Sequence, residues 1–267
     1  VKPVTSADGI VWITGASSGI GRALAEAHVA QGWRVAITAR REVELRALAE
    51  THPSRIIVAP ADVTDPNAVR EAVNTITRDG PIARAILNAG TYERDTAETF
   101  TAERLRRQVE LNLLGTAHGL ELVMPAMIAR KRGQIALMSS LAGLAGLPGS
   151  VSYSTTKAAL IATAEALKFD LDRHGVAISA ICPGFVKSPL TAQNRFPMPF
   201  LMETPAAAHA IMRGLDAGRF LIAFPEGLAR PLRILRLLPH AAFFPLVARF
   251  TGSRTQGGAE PDLDPES

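Results

Sequence analysis

Tyr153 and Lys157 stand four residues apart, so on a helix their side chains project from one face and can act on one substrate. A free phenol has a pKa of about 10, and an adjacent ammonium favours the phenolate and lowers that value. The pair therefore has the composition of a proton donor and acceptor tuned by a neighbouring charge. Ser140 follows the apolar run QIALM thirteen residues before the tyrosine. If that run is a strand, its end presents the serine hydroxyl to the same crevice, as a hydrogen-bond donor to a carbonyl oxygen.

A second group suits a different task. Residues 14–21 read TGASSGIG, between an apolar run and an amphipathic one. Gly15, Gly19 and Gly21 permit a tight turn, and the backbone N–H groups around Ser17, Ser18 and Ile20 lie where a helix N-terminus favours negative charge. A pyrophosphate is the natural occupant. At the end of the next apolar run, ITARRE, an acidic residue would accept from a ribose hydroxyl and repel a 2′-phosphate. Arg40 and Arg41 stand there instead, and their guanidinium groups favour NADP(H) over NAD(H).

These residues need a scaffold, and the chain alternates short apolar runs with longer amphipathic stretches from residue 10 onward. That rhythm predicts an α/β fold: one doubly wound, Rossmann-type parallel sheet between two layers of helices. Six strands are expected, at Ile10–Thr14, Arg34–Thr38, Arg55–Ala59, Ala83–Leu87, Gln134–Met138 and Ala177–Ile181. Helices are expected over Pro66–Arg78, Ala102–Arg130 and Tyr153–His174, with Asp65 as an N-cap and Pro125 kinking or ending the middle helix early. The 267 residues, 47% apolar and 20% charged, can bury one large core and are too apolar for a disordered chain. A net charge of +4, scattered over amphipathic segments, argues against nucleic-acid binding. The lone Cys182 excludes an internal disulfide, and no Cys/His cluster has metal-site spacing. With no secretory signal and no uncharged membrane-length run, the sequence implies a cytoplasmic protein, at most peripheral to a membrane.

Taken in order, TGASSGIG at 14–21, Asp62 in ADVTD, NAG at 88–90, Asn112 in ELNLLGT, SSLAG at 139–143, YSTTK at 153–157 and PG at 183–184 resemble the short-chain dehydrogenase/reductase family over roughly residues 8–220. The resemblance implies that Tyr153 is the general acid or base, that Lys157 lowers its pKa and holds the ribose hydroxyls, and that Ser140 polarises the carbonyl. It implies that Asn112 holds a water linking Lys157 to solvent, and that Asp62 and Val63 flank the adenine. Asn88, Ala89 and Gly90 would line the cofactor and brace the central strand, with further cofactor contacts at Pro183, Gly184, Val186 and Ser188. Where the family commonly has threonine this chain has Ser188, which keeps a hydroxyl. Homodimers or homotetramers built on the helices carrying Asn112 and Tyr153 are implied as well. Buried at a strand end, Cys182 reads as a packing residue.

The expected reaction is carbonyl–alcohol interconversion with NADP(H), and the alternatives are an NAD(H)-linked alcohol dehydrogenase and a non-catalytic nucleotide-binding scaffold. Residues 1–226 form the expected catalytic domain. Within it the irregular segment 183–205, with five prolines, carries Phe196, Met198, Phe200, Leu201 and Met202. These read as an apolar flap over the cleft, suited to a hydrophobic, lipid-like or steroid-like substrate. Residues 227–250 interleave arginines with leucines and phenylalanines, a composition that fits a lid, a subunit contact or a membrane-surface segment. Pro231, Pro239 and Pro245 argue against one continuous helix there. Residues 251–267, acidic and rich in Gly and Pro, are expected to be a disordered tail.

Overall fold

A computed structural model of the chain describes residues 1–192, 194 and 196–252. Seven strands form one wholly parallel sheet: β1 (Ile10–Thr14), β2 (Val35–Thr38), β3 (Ile56–Val58), β4 (Ile82–Leu87), β5 (Gly133–Met138), β6 (Val176–Pro183) and β7 (Leu221–Phe224). Their spatial order is β3-β2-β1-β4-β5-β6-β7, so the chain reverses direction across the sheet between β1 and β4. In such sheets ligands bind outside the carboxyl ends of the strands at this switch point.

Alternate residues of each strand feed two separate cores, which makes the molecule three-layered. Val11, Ile13, Val35 and Ile37 face one core with α1 (Gly19–Ala30), α2 (Glu42–Glu50) and α8 (Thr204–Asp216). Ile10, Trp12, Ala36 and Leu87 face the other with α3 (Pro66–Thr77), α5 (Gly115–Ala129) and α7 (Val151–Arg173). Helix α3 starts as expected, with Asp65 accepting from the N–H groups of Asn67 and Ala68 and Pro66 in the first turn. One charged side chain crosses the first core. Arg84, fully buried on β4, donates to Gln134 Oε1 at 2.8 Å and to Asp216 Oδ1 at 2.8 Å, and lies 3.0 Å from His28 Nε2.

Three expectations need correction. The sheet has a seventh strand, because the four-residue run Leu221–Phe224 pairs in parallel with β6 through Ala180–Pro183. The helix expected over Ala102–Arg130 is continuous in space but changes type: α4 (Ala102–Gln108) passes into a π-helical turn, Val109–Leu114, and then α5. Pro125 does not end the run, since its missing donor frees a carbonyl on the exposed side of α5, where water can satisfy it. Ala102–Ala129 is long and apolar enough to cross a membrane, yet Asn112, Thr116, Leu120, Val123 and Met127 in it are buried within the fold.

The C-terminal region forms two helices, α9 (Glu226–Leu235) and α10 (His240–Thr251). Pro239 is the N-cap that separates them, while Pro231 and Pro245 sit inside them. Phe243 and Val247 of α10 make a small third core with Ala145, against which Leu147, Leu232 and Leu235 pack. Thr251 ends α10, so the expected tail begins no earlier than Gly252, and residues 253–267 lie outside the described residues.

Candidate active site

A cleft of about 690 Å³ opens at the switch point, within the usual size of a small-molecule site. Its floor is the turn after β1. A Cβ on Gly15 would come within 2.8 Å of Ala89 Cα, and one on Gly21 within 2.4 Å of the Gly15 carbonyl oxygen, so both positions require glycine. Gly19 adopts φ +56°, a left-handed conformation that aims the start of α1 into the cleft. No side chain caps α1 at Ser18, which leaves its first-turn N–H groups available to an anion. The residues present thus fit a dinucleotide pyrophosphate, held by backbone rather than by charged side chains.

Two arginines bound one end of the cleft. Arg41, N-cap of α2, donates from Nη2 to both Ser17 Oγ and Ser18 Oγ at 2.9 Å. Arg40 Nη1 lies 3.9 Å from Asp62 Oδ2. Asp62 also accepts from the Thr64 backbone and hydroxyl, and the adjoining Val63 is buried with its carbonyl bound by His118. On the other wall Thr14 Oγ1 accepts from the N–H groups of Asn88 (2.9 Å) and Ala89 (3.0 Å), while Asn88 Nδ2 donates back to the Thr14 carbonyl. These bonds lock the NAG segment to the end of β1. Thr14 is a functional support the motif alone does not single out.

The reacting end is set by α7. Tyr153 lies in its first turn, because the helix starts at Val151 rather than at the tyrosine. The side chain of Ser150 makes no cap bond, and the cap comes from far away in sequence. The fully buried Asp95 carboxylate accepts from Ser152 N at 3.0 Å and from the Ser152 hydroxyl in a short contact. Tyr92 packs edge-on against the Tyr153 ring, 5.0 Å between centroids, and donates its own hydroxyl to the Gly149 carbonyl. Asp95 and Tyr92 thus fix the entry of α7 and the ring of Tyr153. Neither carries a sequence signal, since both follow NAG in a loop without periodicity.

Ser140 N-caps the short α6 (Leu141–Leu144), accepting from Ala142 N, while its hydroxyl donates to the Pro183 carbonyl at 3.4 Å and lines the same cleft as Tyr153. Lys157 is buried, with Nζ donating to the Met138 carbonyl at 2.8 Å and lying 5.5 Å from the Tyr153 ring centre. This corrects one expectation. In the free cleft burial dominates and pushes the Tyr153 phenol up to about 12, against the lowering influence of Ser140. Burial likewise pulls the Lys157 ammonium down to about 8. The lysine stands close enough to share a ligand with the tyrosine, but the phenol keeps its proton at neutral pH.

Asn112 is the expected site residue that does not line the cleft. It sits in the π-helical turn, where its amide donates to the Thr91 carbonyl and Thr156 Oγ1 and accepts from Thr91 N. One lone pair of Oδ1 remains. A Cβ on Gly90 would lie 3.1 Å from Asn112 Oδ1 and 3.2 Å from Lys157 Nζ, so both polar groups converge on one point of the backbone. Cys182 is buried behind the site, its thiol pushed up to about 12 by burial, and lines no part of the cleft.

The segment after β6 departs from expectation. Pro183, Gly184, Val186 and Ser188 line the cleft, together with Pro189, Leu190 and Thr191. Phe196, Met198, Phe200, Leu201 and Met202 do not. A bridge between Val186 and Met202 folds the segment back and carries Met202 onto the α8 core, while the Phe200 ring lies where a Cβ on Gly227 of α9 would stand. Thr191 Oγ1 accepts from Ser188 N and donates to the Val186 carbonyl at 2.7 Å, pinning the part that remains.

Known proteins share this arrangement. The family profile for short chain dehydrogenase matches residues 9–198. An uncharacterized oxidoreductase of Myxococcus xanthus is 41% identical over 235 residues, 86% of this chain and 93% of that one. A short-chain dehydrogenase from Streptomyces avermitilis superposes with a TM-score of 0.79 at 28% identity, covering 94% of this chain and 99% of that one. A structure described as levodione reductase does so at 0.76 and 26% identity, covering 84% and 98%. The chain therefore belongs to the short-chain dehydrogenase family, oxidoreductases that bind a nicotinamide cofactor and act on a CH–OH/C=O pair.

Proposed function

We propose that this protein is an NADP(H)-dependent reductase of an apolar ketone or aldehyde. The observation that carries the reading is the convergence of Ser140, Tyr153 and Lys157 on one cleft whose far end is bounded by Arg40 and Arg41. When bound, the cofactor supplies hydride. Ser140 donates to the carbonyl oxygen and polarises it. As negative charge develops there, Tyr153 gives its proton to the same oxygen, because an alkoxide is a far stronger base than a phenolate. The products are an alcohol and a tyrosinate. Lys157 Nζ stands beside that tyrosinate as the cation that stabilises it, and the oxygen of Asn112 facing the same point offers a place for water to return the proton.

Support for the 2′-phosphate reading comes from the cationic end of the cleft, and support for an apolar substrate from Leu190, Val186 and Tyr92 at its other end. A turnover screen of apolar ketones and aldehydes with NADPH and NADH tests both. Tyr153→Phe should lower kcat by about 10²–10⁴-fold while NADPH still binds. Residual turnover near that of the parent would remove the role.

The exposed Leu114 of the π-helical turn and Val151 and Phe169 of α7 further support a homodimer or homotetramer built on these helices. Light scattering of Phe169→Glu, expected to shift the mass toward monomer, checks it.

A further inference from the structure

Helix α9 has two unlike sides. Leu228, Leu232 and Leu235 turn inward onto the main and third cores. Arg230 and Ile234 recur at helical spacing on the opposite side, flanked by Arg233, and Leu237 follows in the turn after the helix. Helix α10 repeats the division, with Phe243 and Val247 inside and Arg249 outside. Large apolar side chains on this surface face water: Leu237 is 84% exposed, Phe250 74%, Ile234 64% and Phe244 63%. Four arginines stand among them, and from Gly227 to Gly252 the sequence has no acidic residue. Only Arg230 has an ion-pair partner among the described residues, Glu226. Elsewhere on the surface several arginines pair with neighbouring acids, as in Arg106–Glu103 and Arg107–Glu93.

We propose that the outer face of α9 and α10 rests on an anionic lipid surface. Bulky apolar residues interleaved with arginines on a helix lying over the body of a protein can enter the headgroup boundary while the guanidinium groups meet lipid phosphates. Charge selects this occupant over a second copy of the chain, because a two-fold contact through this face would bring two sets of unpaired arginines together. The face lies over Ala145 and Leu147, in the segment that follows Ser140, so lipid contact would be made beside the reacting end of the cleft. Lipid binding here is independent of which carbonyl compound is turned over.

Flotation of the full chain with phosphatidylcholine vesicles, with and without phosphatidylglycerol, tests the proposal. Recovery with the anionic vesicles, weakened by salt, is expected. Arg233→Gln with Arg236→Gln should lower partitioning about thirtyfold, at about fivefold per arginine. Leu237→Glu and Phe244→Glu should lower it as well, and all these variants should melt like the parent because the side chains are exposed. The control Arg70→Gln with Arg78→Gln, exposed on the α3 side, should float unchanged. No recovery with anionic vesicles, undiminished flotation of the α9 and α10 variants, or an equal loss in the control overturns the proposal. So does a fall in solution mass caused by Leu237→Glu, which would assign the face to a second copy.

Discussion

Replacing Arg40 and Arg41 together with serine should convert cofactor preference. Arg41 is already drawn over the phosphate turn by the hydroxyls of Ser17 and Ser18, and Arg40 stands 3.9 Å from the Asp62 carboxylate. Both side chains face solvent, 70% exposed for Arg40 and 52% for Arg41, so their attraction for a 2′-phosphate is screened. Two unit charges 4 Å apart interact by about 1 kcal/mol in water and about 4 kcal/mol at the effective dielectric of a protein surface. At these exposures about 1–2 kcal/mol per arginine is reasonable, or about 2–4 kcal/mol for the pair. The Kd for NADPH should then rise about 30- to 1000-fold. NADH binding should change little, or tighten where Asp62, released from Arg40, accepts from a ribose hydroxyl. Fluorescence titration of both cofactors gives the two constants, and repetition at higher salt should narrow the parent's preference because an exposed contact is screened. A ratio of the two constants that moves by less than about threefold in the double variant would refute the assignment of these arginines.

Other consequences are independent of cofactor choice. Asp95→Ala leaves the buried N–H and hydroxyl of Ser152 without their acceptor, at a cost of about 2–3 kcal/mol, which thermal melts should show as a Tm lowered by about 4–12 °C. Because Tyr153 follows directly, kcat should fall with it. Gly21→Ala should abolish cofactor binding and destabilise the chain, since the new Cβ meets a backbone oxygen at 2.4 Å; an unchanged Kd would contradict the tight turn. His28 is held neutral: Arg84 can only donate, so Nε2 accepts from it while Nδ1 donates to the Leu24 carbonyl, and burial pulls the imidazole down to about 3 from 6.5. Between those values the unfolded chain binds a proton that the folded chain does not. Stability should therefore fall with pH by about 1.4 kcal/mol per unit below pH 6.5, read as a urea midpoint lower at about pH 5 than at about pH 7. His28→Gln should flatten that slope.

Strand and helix order from β1 to β6 was legible because each element carries its own local pattern, an apolar run closed by turn residues or an amphipathic stretch with its cap, as at Asp65–Pro66. The seventh strand was not, since four residues between Phe220 and Pro225 have no period of their own and become a strand only by pairing with Ala180–Pro183. The π-helical turn was hidden for a similar reason. Its sequence, VELNLL, is an ordinary helical one, and the side chain of Asn112 is engaged there by Thr91 and Thr156, distant in sequence. The apolar residues at 196–202 were misplaced over the cleft because composition does not reveal that the Val186–Met202 bridge folds them away.

By itself the sequence determined which side chains and which glycines the site would hold, because residue type and spacing along a turn or helix are local properties: Gly15 to Gly21, Ser140, Tyr153 and Lys157 all line one cleft save Ala16 of the turn. Only the tertiary structure decided their protonation and their supports. Desolvation by distant segments pushes the Tyr153 phenol up to about 12, and α7 is capped by a carboxylate 57 residues earlier. Desolvation and long-range hydrogen bonds depend on neighbours that the chain supplies only after it folds, and no local pattern encodes them.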